Sequence, residues 1–93
     1  MAYALLAHPV AQEELDALPP LIADGLRKVL SALAKSPHDS RFDLKPLAGQ
    51  TDSPRPLRLR VGEYRVILQI YDAEKEIRIA RIGHRSSVYR SLK

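Results

Sequence analysis

The sequence predicts an α+β domain in which an N-terminal strand and an antiparallel helical hairpin pack on an antiparallel β-sheet. Apolar residues recur with helical spacing in the first half of the chain, and they alternate with polar residues after position 56. Neither layer can bury its apolar side alone, so the helices are expected to cover one face of the sheet. Because 93 residues are too few for two cores of useful size, we expect a single domain over residues 1–93.

The first half of the chain predicts one strand and two helices. Residues 2–7 form a short apolar run that suits a strand, and "HPVAQEELDALPP" then predicts a short helix with Pro9 in its first turn. The segment "PPLIADGLRKVLSALAKSP" predicts a second helix, which ends at Ser36 and Pro37. Its apolar face is formed by Ile22, Leu26, Val29, Leu30 and Leu33. The short link between the helices predicts a hairpin.

The second half predicts a loop and then three strands. Residues 41–56 are mixed, with Pro46, Gly49, Pro54 and Pro56, and within them "AGQTDSPRP" predicts a mobile loop. "LRLRV", "YRVILQIY" and "EIRIARIG" then follow with a period of two, joined by turns at Gly62–Glu63 and "DAEK". Two hairpins in series form an antiparallel meander. The residues predicted to face the helices are Leu57, Leu59, Val66, Leu68 and Ile70.

Positive charge is concentrated in the second half of the chain. The net charge is +4, yet residues 48–93 hold ten Lys/Arg against five Asp/Glu, whereas residues 1–47 hold five against six. The alternation places Arg58, Arg60 and Arg65 together on the face opposite the helices. Neighbouring arginines repel one another unless an anion or water lies among them, so the pattern favours a phosphate-binding face over a merely solvated one. A polyanionic partner such as nucleic acid fits this charge.

Several classes of protein are excluded or disfavoured. The chain has no Cys, hence no disulfide framework and no thiolate metal site, and its three His residues lack metal-ligand spacing. It contains no Gly-rich phosphate loop and no Ser/His/Asp arrangement. No apolar run is long enough to cross a bilayer, and the N-terminus does not have the pattern of a secretory signal, so we expect a cytoplasmic protein without a membrane partner.

The stretch "RIGHRSSVYR" near the C-terminus carries the remaining chemistry. Arginine can stabilise developing negative charge on a phosphate, and Tyr89 can stack on a base or transfer a proton. His84 is a second candidate for proton transfer. Such a set suits cleavage of RNA without a metal or other cofactor, with the 2′-hydroxyl as nucleophile. Two structural alternatives stay open: Tyr89 could close the core, and His84 could be a turn residue beside Gly83.

The segments "KPLAG", "LRLRVGEYRVILQI" and "IARIGHRSSVY" resemble the RelE/ParE superfamily of toxins from toxin–antitoxin pairs, and the RelE branch most of all. This resemblance implies a RelE-like fold and a ribosome-dependent mRNA endonuclease that cleaves by metal-independent 2′-hydroxyl attack. It also implies a cognate antitoxin as partner in a hetero-oligomeric complex. The residues that match catalytic positions are Arg65, Arg85 and Tyr89. The residues expected to bind RNA or phosphate are Arg58, Arg60, Arg81 and His84.

The resemblance leaves two questions open. Where the best-known members have lysines, this chain has Pro56 and Arg58, and arginine cannot give up a proton as lysine can, so the general base is not assigned. The ParE branch shares the fold but inhibits DNA gyrase without cleaving RNA, which is the main competing function. A third hypothesis is a basic nucleic-acid-binding module without activity. Retention of Arg65, Arg85 and Tyr89 together favours the ribonuclease.

Overall fold

The structure is a computed structural model and describes residues 2–91. Its elements, in chain order, are strand β1 (Ala4–Ala7), helix α1 (Pro9–Asp16), helix α2 (Pro20–Lys35), strands β2 (Leu44–Pro46), β3 (Leu57–Val61), β4 (Tyr64–Tyr71) and β5 (Glu76–His84), and a closing 3₁₀ helix (Val88–Ser91). The prediction of an α+β fold with an N-terminal strand and a helical hairpin on a sheet is confirmed. The single domain over residues 1–93 extends beyond the described residues and stays a prediction.

Both helices begin with a proline in the first turn, where the missing N–H is not needed. His8 caps α1, since its Nδ1 accepts a hydrogen bond from the N–H of Val10 at 3.1 Å. Helix α2 turns its predicted face towards the core, where Leu26, Leu30 and Leu33 are buried. Ile22 and Val29, also of that face, are half-buried. The fully buried residues of α2 are Ala23, Leu26, Leu30, Leu33 and Ala34. Within residues 2–91, no helix has both the length and the apolar content needed to cross a bilayer.

The sheet has five strands in the order β1-β5-β4-β3-β2. The antiparallel meander of β3, β4 and β5 is confirmed. The sheet is mixed, however, because β1 pairs in parallel with β5, with Ala4 opposite Glu76. The three-residue edge strand β2 lies just before the predicted loop, in a mixed stretch for which no strand was predicted, and it sets Lys45 opposite Arg58 of β3.

The helix-side core contains the sheet residues predicted for it. Leu59, Val66, Leu68 and Ile70 are buried there, and Leu57 is half-buried against them. Strand β5 keeps its own apolar residues on this side by means of a β-bulge, in which Ile79 pairs with Leu68 but Arg81 pairs with Ile67. Ala80 is the extra residue. As a result Ile77, Ile79 and Ile82 are all buried in the core.

The opposite face of the sheet is partly covered, which the strand alternation did not predict. Ile67 lies on this face and is only 3% exposed, although it is not part of the helix-side core. The segment 47–56 folds over it, since the Gln69 side chain donates to the carbonyl of Pro54 at 2.7 Å and the N–H of Leu47 donates to the carbonyl of Pro56 at 3.0 Å. The surface left for a ligand is therefore narrower than the whole sheet.

Helix α1 closes the edge of β5 beyond the end of β1. The carboxylate of Glu14 accepts hydrogen bonds from Arg81 Nη2 at 2.7 Å and from the N–H of Ile82 at 2.9 Å. Burial opposes the ionisation of Glu14, but these hydrogen bonds outweigh it and lower the pKa of the carboxyl. The same contact raises the pKa of Arg81. The ion pair thus covers a strand edge and joins the helix layer to the sheet.

A polar cluster fixes the β4–β5 turn to the rest of the domain. Asp72 Oδ1 accepts a hydrogen bond from the Tyr3 hydroxyl at 2.7 Å and lies 2.7 Å from His38 Nε2. The hydrogen bond to His38, and then that from Tyr3, lowers the pKa of Asp72. The hydrogen bond to Asp72 in turn raises the pKa of Tyr3. His38, for which no function was predicted, therefore links the chain just after α2 to the sheet.

Candidate nucleic-acid interface

Arg58 and Arg60 lie next to each other on the face opposite the helices, and one carboxylate joins them. Asp43 Oδ1 lies 3.2 Å from Arg58 Nη2, and its Oδ2 lies 2.8 Å from Arg60 Nε. The Arg58 side chain is only 17% exposed, whereas that of Arg60 is 56% exposed. The anion that neighbouring arginines require is thus supplied by the protein itself. Sequence reasoning missed Asp43. It lies 15 positions before Arg58 in the chain, and the pairing of β2 with β3 brings the two residues together.

Three arginines surround the β3–β4 turn at Gly62 and Glu63. Arg65 stands opposite Arg60 across the strands, and its Nη1 donates to the carbonyls of Gly62 at 2.9 Å and Tyr64 at 3.0 Å. Arg85 forms an ion pair with Glu63, and both side chains are more than half exposed. The N–H of Arg85 also donates to the Glu63 carbonyl at 2.8 Å. The structure therefore brings Arg60, Arg65 and Arg85 to one end of the sheet.

Tyr89 lies in a groove of about 540 Å³ that we call the Tyr89 groove. Its lining residues are Lys45, Pro46, Leu47, Ala48, Gln50, Arg58 and Tyr89. The Tyr89 side chain is not part of the core, as its residue is 40% exposed. The preceding residue does the packing instead: Val88 is buried against Gly83, where a Cβ on the glycine would lie 3.3 Å from the Val88 Cβ. Lys45 and Gln50 were not among the predicted site residues.

Two predicted RNA-binding residues have partners elsewhere. Arg81 is held by Glu14, with both side chains mostly buried. His84 ends β5, where its Nδ1 accepts from the N–H of Ser86 at 3.1 Å and its ring packs edge-on against Tyr64. This hydrogen bond assigns the proton of the neutral ring to Nε2. The RNA-binding roles of Arg81 and His84 stay predictions, and neither residue lines the Tyr89 groove.

The arrangement combines fixed cations with an accessible aromatic ring. Arginine matches phosphate oxygens, and a tyrosine ring offers a stacking surface for a base, so the surface can accommodate a single-stranded nucleic acid. Within residues 2–91, no three His, Asp or Glu side chains are grouped so as to hold a metal ion. The chemistry available is charge stabilisation, stacking and proton transfer.

Comparison with known proteins identifies the family. The family model described as the ParE toxin of type II toxin–antitoxin systems matches residues 5–89. The chain belongs to this toxin family. A search of curated proteins gave no match to the toxin. The resemblance of its sequence motifs to the RelE/ParE superfamily is thereby confirmed.

Solved structures place the toxin beside RelE proteins. RelE in the archaeal RelE–RelB complex from Pyrococcus horikoshii is 27% identical, with a TM-score of 0.75 over 95% of the toxin and 100% of that chain. The toxin–antitoxin complex RelBE2 from Mycobacterium tuberculosis contains a chain that is 25% identical. Its TM-score is 0.73, over 94% of the toxin and 95% of that chain. The isolated Escherichia coli RelE toxin is 22% identical and shares the fold. Its TM-score is 0.71, over 89% of the 93-residue toxin and 84% of the E. coli chain. The toxin is therefore RelE-like in structure.

Proposed function

We propose that the toxin is an endoribonuclease that cleaves mRNA on the ribosome. The observation that carries the proposal is the exposed ring of Tyr89 in a groove with Arg58 and Lys45. Proteins bind single-stranded RNA by stacking bases on aromatic rings and by holding the backbone with cations. Arg58 and Arg60 would hold the RNA backbone on either side of Asp43.

The reaction needs only groups that the RNA and this face supply. The ribose 2′-oxygen attacks the adjacent phosphorus, and the bond from phosphorus to the 5′-oxygen of the next nucleotide breaks. The 2′-hydroxyl proton passes to a base, the leaving 5′-oxygen gains a proton, and a 2′,3′-cyclic phosphate remains. We assign stabilisation of the pentacovalent phosphate to Arg65 and Arg85, and positioning or activation of the nucleotide to Tyr89.

The contacts of the two arginines fit different tasks. Arg65 is fixed by two backbone carbonyls, so its guanidinium is already oriented before RNA binds. Among the described residues, the Arg85 side chain is held by an exposed ion pair with Glu63 alone, which contributes little stability and can be exchanged for a phosphate. His84 stays a candidate for proton transfer, since its Nε2 has no partner within the described part of the chain.

Primer extension on a defined mRNA, with and without programmed ribosomes, tests the proposal. We expect cuts within the A-site codon that require the ribosome, which would also fit a cytoplasmic location. Arg85→Ala should strongly weaken the cuts, whereas Arg78→Ala should keep them, because Arg78 contacts Glu76 and the Tyr71 ring instead. Intact mRNA in both tubes would overturn the proposal.

The match to the ParE family model favours a second candidate, inhibition of DNA gyrase. ParE-like toxins share this fold and its basic surface. If mRNA stays intact, a supercoiling assay with purified gyrase is the deciding measurement. Inhibition that survives Tyr89→Ala would favour the gyrase inhibitor, since a binding surface for gyrase does not require a base-stacking ring.

We further propose that a cognate antitoxin neutralises the toxin in a hetero-oligomeric complex. The similar proteins from P. horikoshii and M. tuberculosis were solved as complexes of toxin and antitoxin. An acidic or amphipathic antitoxin segment would be attracted to Arg58, Arg60 and Arg65. Hydrogen exchange of the complex should show protection of β3 and β4 beyond that of the free toxin. A complex in which these strands remain as accessible as before, and RNA is still cut, would contradict this.

A further inference from the structure

Gln50 contributes an amide side chain to the Tyr89 groove. It is half-buried, and it makes no hydrogen bond to any other described residue between positions 2 and 91. A second glutamine on the same side of the sheet is engaged, since Gln69 donates to the carbonyl of Pro54 at 2.7 Å. Gln50 thus presents a donor and an acceptor to the groove without a structural task that uses them.

The local backbone fixes where Gln50 lies. Strand β2 ends at Pro46, and the chain then turns at Ala48 and Gly49, with Gly49 at a φ of 77° that glycine adopts without strain. The N–H of Leu47 donates to the carbonyl of Pro56, which closes the loop on which Gln50 lies. Gln50 also lines a smaller cavity together with Leu47 and Ile67, which places it beside the sheet.

Lys45 is the exposed cation of the same groove. Its neighbour Arg58 is engaged by Asp43 and only 17% exposed, whereas Lys45 has no acidic partner among the described residues. Lys45 stands opposite Arg58 on the edge strand β2. The groove therefore holds a ring for stacking, an amide for hydrogen bonding and an available positive charge, which match the base, the base edge and the phosphate of one nucleotide.

We propose that the Tyr89 groove binds a single RNA nucleotide whose base edge is read by Gln50 and whose phosphate is held by Lys45. The choice of RNA as ligand rests on the proposed function. A carboxamide donates and accepts in one plane, and it discriminates among bases because their edges differ in donors and acceptors. A cation on a phosphate adds affinity without base information. Gln50 is thus a specificity residue, and Lys45 is not.

The test is a titration of the full-length, isotope-labelled toxin with the four ribonucleoside 3′,5′-bisphosphates, followed by amide-resolved NMR. We expect the side-chain amide signals of Gln50 to shift, and the Kd values to differ by about tenfold between the best and the worst base. Gln50→Ala should reduce that spread to about twofold. Lys45→Ala should weaken all four ligands by a similar factor and keep their order. Gln12→Ala, on α1, is the matched control. It should change neither the spread of Kd values among the four bases nor the overall affinity.

A second variant covers the case in which Gln50→Ala disturbs the loop. Gln50→Glu keeps the size of the side chain but can only accept hydrogen bonds when ionised, so the order of the four bases should change. An unchanged order in this variant, or an unchanged spread in Gln50→Ala, would overturn the proposal. So would Gln50 signals that do not move with any ligand.

This binding test separates the subsite from the catalytic proposal. If the toxin discriminates bases through Gln50 but leaves mRNA intact, the nucleotide subsite is supported and the endonuclease proposal fails. If mRNA is cut on the ribosome but Gln50 has no effect on base preference, the reverse holds.

Discussion

Acidic side chains determine how Arg58, Arg60 and Arg85 are presented. Asp43 holds Arg58 and Arg60, while Glu63 holds Arg85 in a pair that is open to solvent. Exposed ion pairs contribute little stability and are screened by salt. In the proposed function, an RNA phosphate would therefore compete with Glu63 more readily than with Asp43, whose pair with Arg58 is largely shielded.

Glu63→Gln should strengthen RNA binding, because it removes a negative charge that competes with phosphate for Arg85. We expect the Kd for a short single-stranded RNA at low salt to fall by a few-fold, on the order of an exposed ion pair. Fluorescence anisotropy measures the change, and Glu74→Gln in the β4–β5 turn is the matched control. Weaker binding in Glu63→Gln would show instead that Glu63 is needed to orient Arg85.

Arg85→Ala and Tyr89→Phe should both relieve growth arrest while the fold and antitoxin binding persist. Loss of a cation aimed at the developing phosphate charge is expected to lower the cleavage rate by about 10²–10³-fold. Tyr89→Phe keeps the ring and removes the hydroxyl, so it separates proton transfer from stacking. Single-turnover cleavage and circular dichroism are the measurements. Full toxicity of both variants would refute the assigned roles.

Three residues of the candidate site, Asp43, Lys45 and Gln50, lay beyond sequence reasoning. Asp43 and Lys45 come from a segment without periodicity, and only the pairing of β2 with β3 brings them beside Arg58. By contrast, the common face of Arg58, Arg60 and Arg65 followed from simple alternation, because regular strands leave no other placement. The exposure of Tyr89 was undecided in the sequence, since its neighbour Val88 could have exchanged places with it.

At the scale of elements, Glu14 is the polar link between α1 and β5. Glu14→Gln should lower the free energy of unfolding at pH 7 by about 2 kcal/mol, since it leaves the mostly buried Arg81 with a weakened partner. The pKa of Glu14 is lowered by folding from 4.5, so its contribution is present above about pH 4.5 and is lost as the pH falls through the folded-state pKa.

Urea denaturation of wild type and variant across this range checks both statements. The difference between the two proteins should be largest near neutral pH and should shrink in acid. Glu13→Gln, one position earlier on the exposed side of α1, is the control and should have little effect. If the difference in the free energy of unfolding grew as the pH fell, folding would raise the pKa of Glu14 and not lower it.

The contact of Gly83 with Val88 fixes how the closing helix crosses the sheet. Gly83→Val should push Val88 away, because even the first added carbon would lie 3.3 Å from its Cβ. Since Tyr89 follows directly, we expect cleavage to drop at least about tenfold, with a stability loss of about 1–3 kcal/mol. Cleavage assays and thermal denaturation are the measurements. An active variant with normal stability would show that the closing helix does not set the position of Tyr89.

Elements with strong periodicity were predictable, and those defined by distant pairing were not. Helix α2 and strands β3, β4 and β5 each carry a clear apolar pattern. Strand β2 has three residues, one of them Pro46, and so gives no pattern. The parallel pairing of β1 with β5 joins residues more than 70 positions apart, a relation that local spacing does not encode.

At the scale of the whole molecule, the asymmetric charge should make RNA binding depend strongly on salt. If four cations of this face contact phosphates, the slope of log affinity against log salt should be about −3 for single-stranded RNA. Removing Arg60 should reduce the slope by about 0.7, whereas removing Arg27 on α2 should not change it. A titration between low and moderate salt decides this. A slope near zero would argue against a phosphate-binding face.

The bulge in β5 bears on how relatives of different length are aligned. Ala80 is the one extra residue of β5, and it lies between the residues that pair with Leu68 and Ile67 of β4. Deleting it would restore plain alternation without turning Arg81 or Gly83 to the other side of the sheet. Gaps are ordinarily assigned to loops, yet a one-residue gap in the middle of this last strand is compatible with the fold. If an alignment places the gap at Ala80, a shorter relative keeps the position of Gly83 beneath the closing helix. It also keeps the position of Tyr89 in the Tyr89 groove.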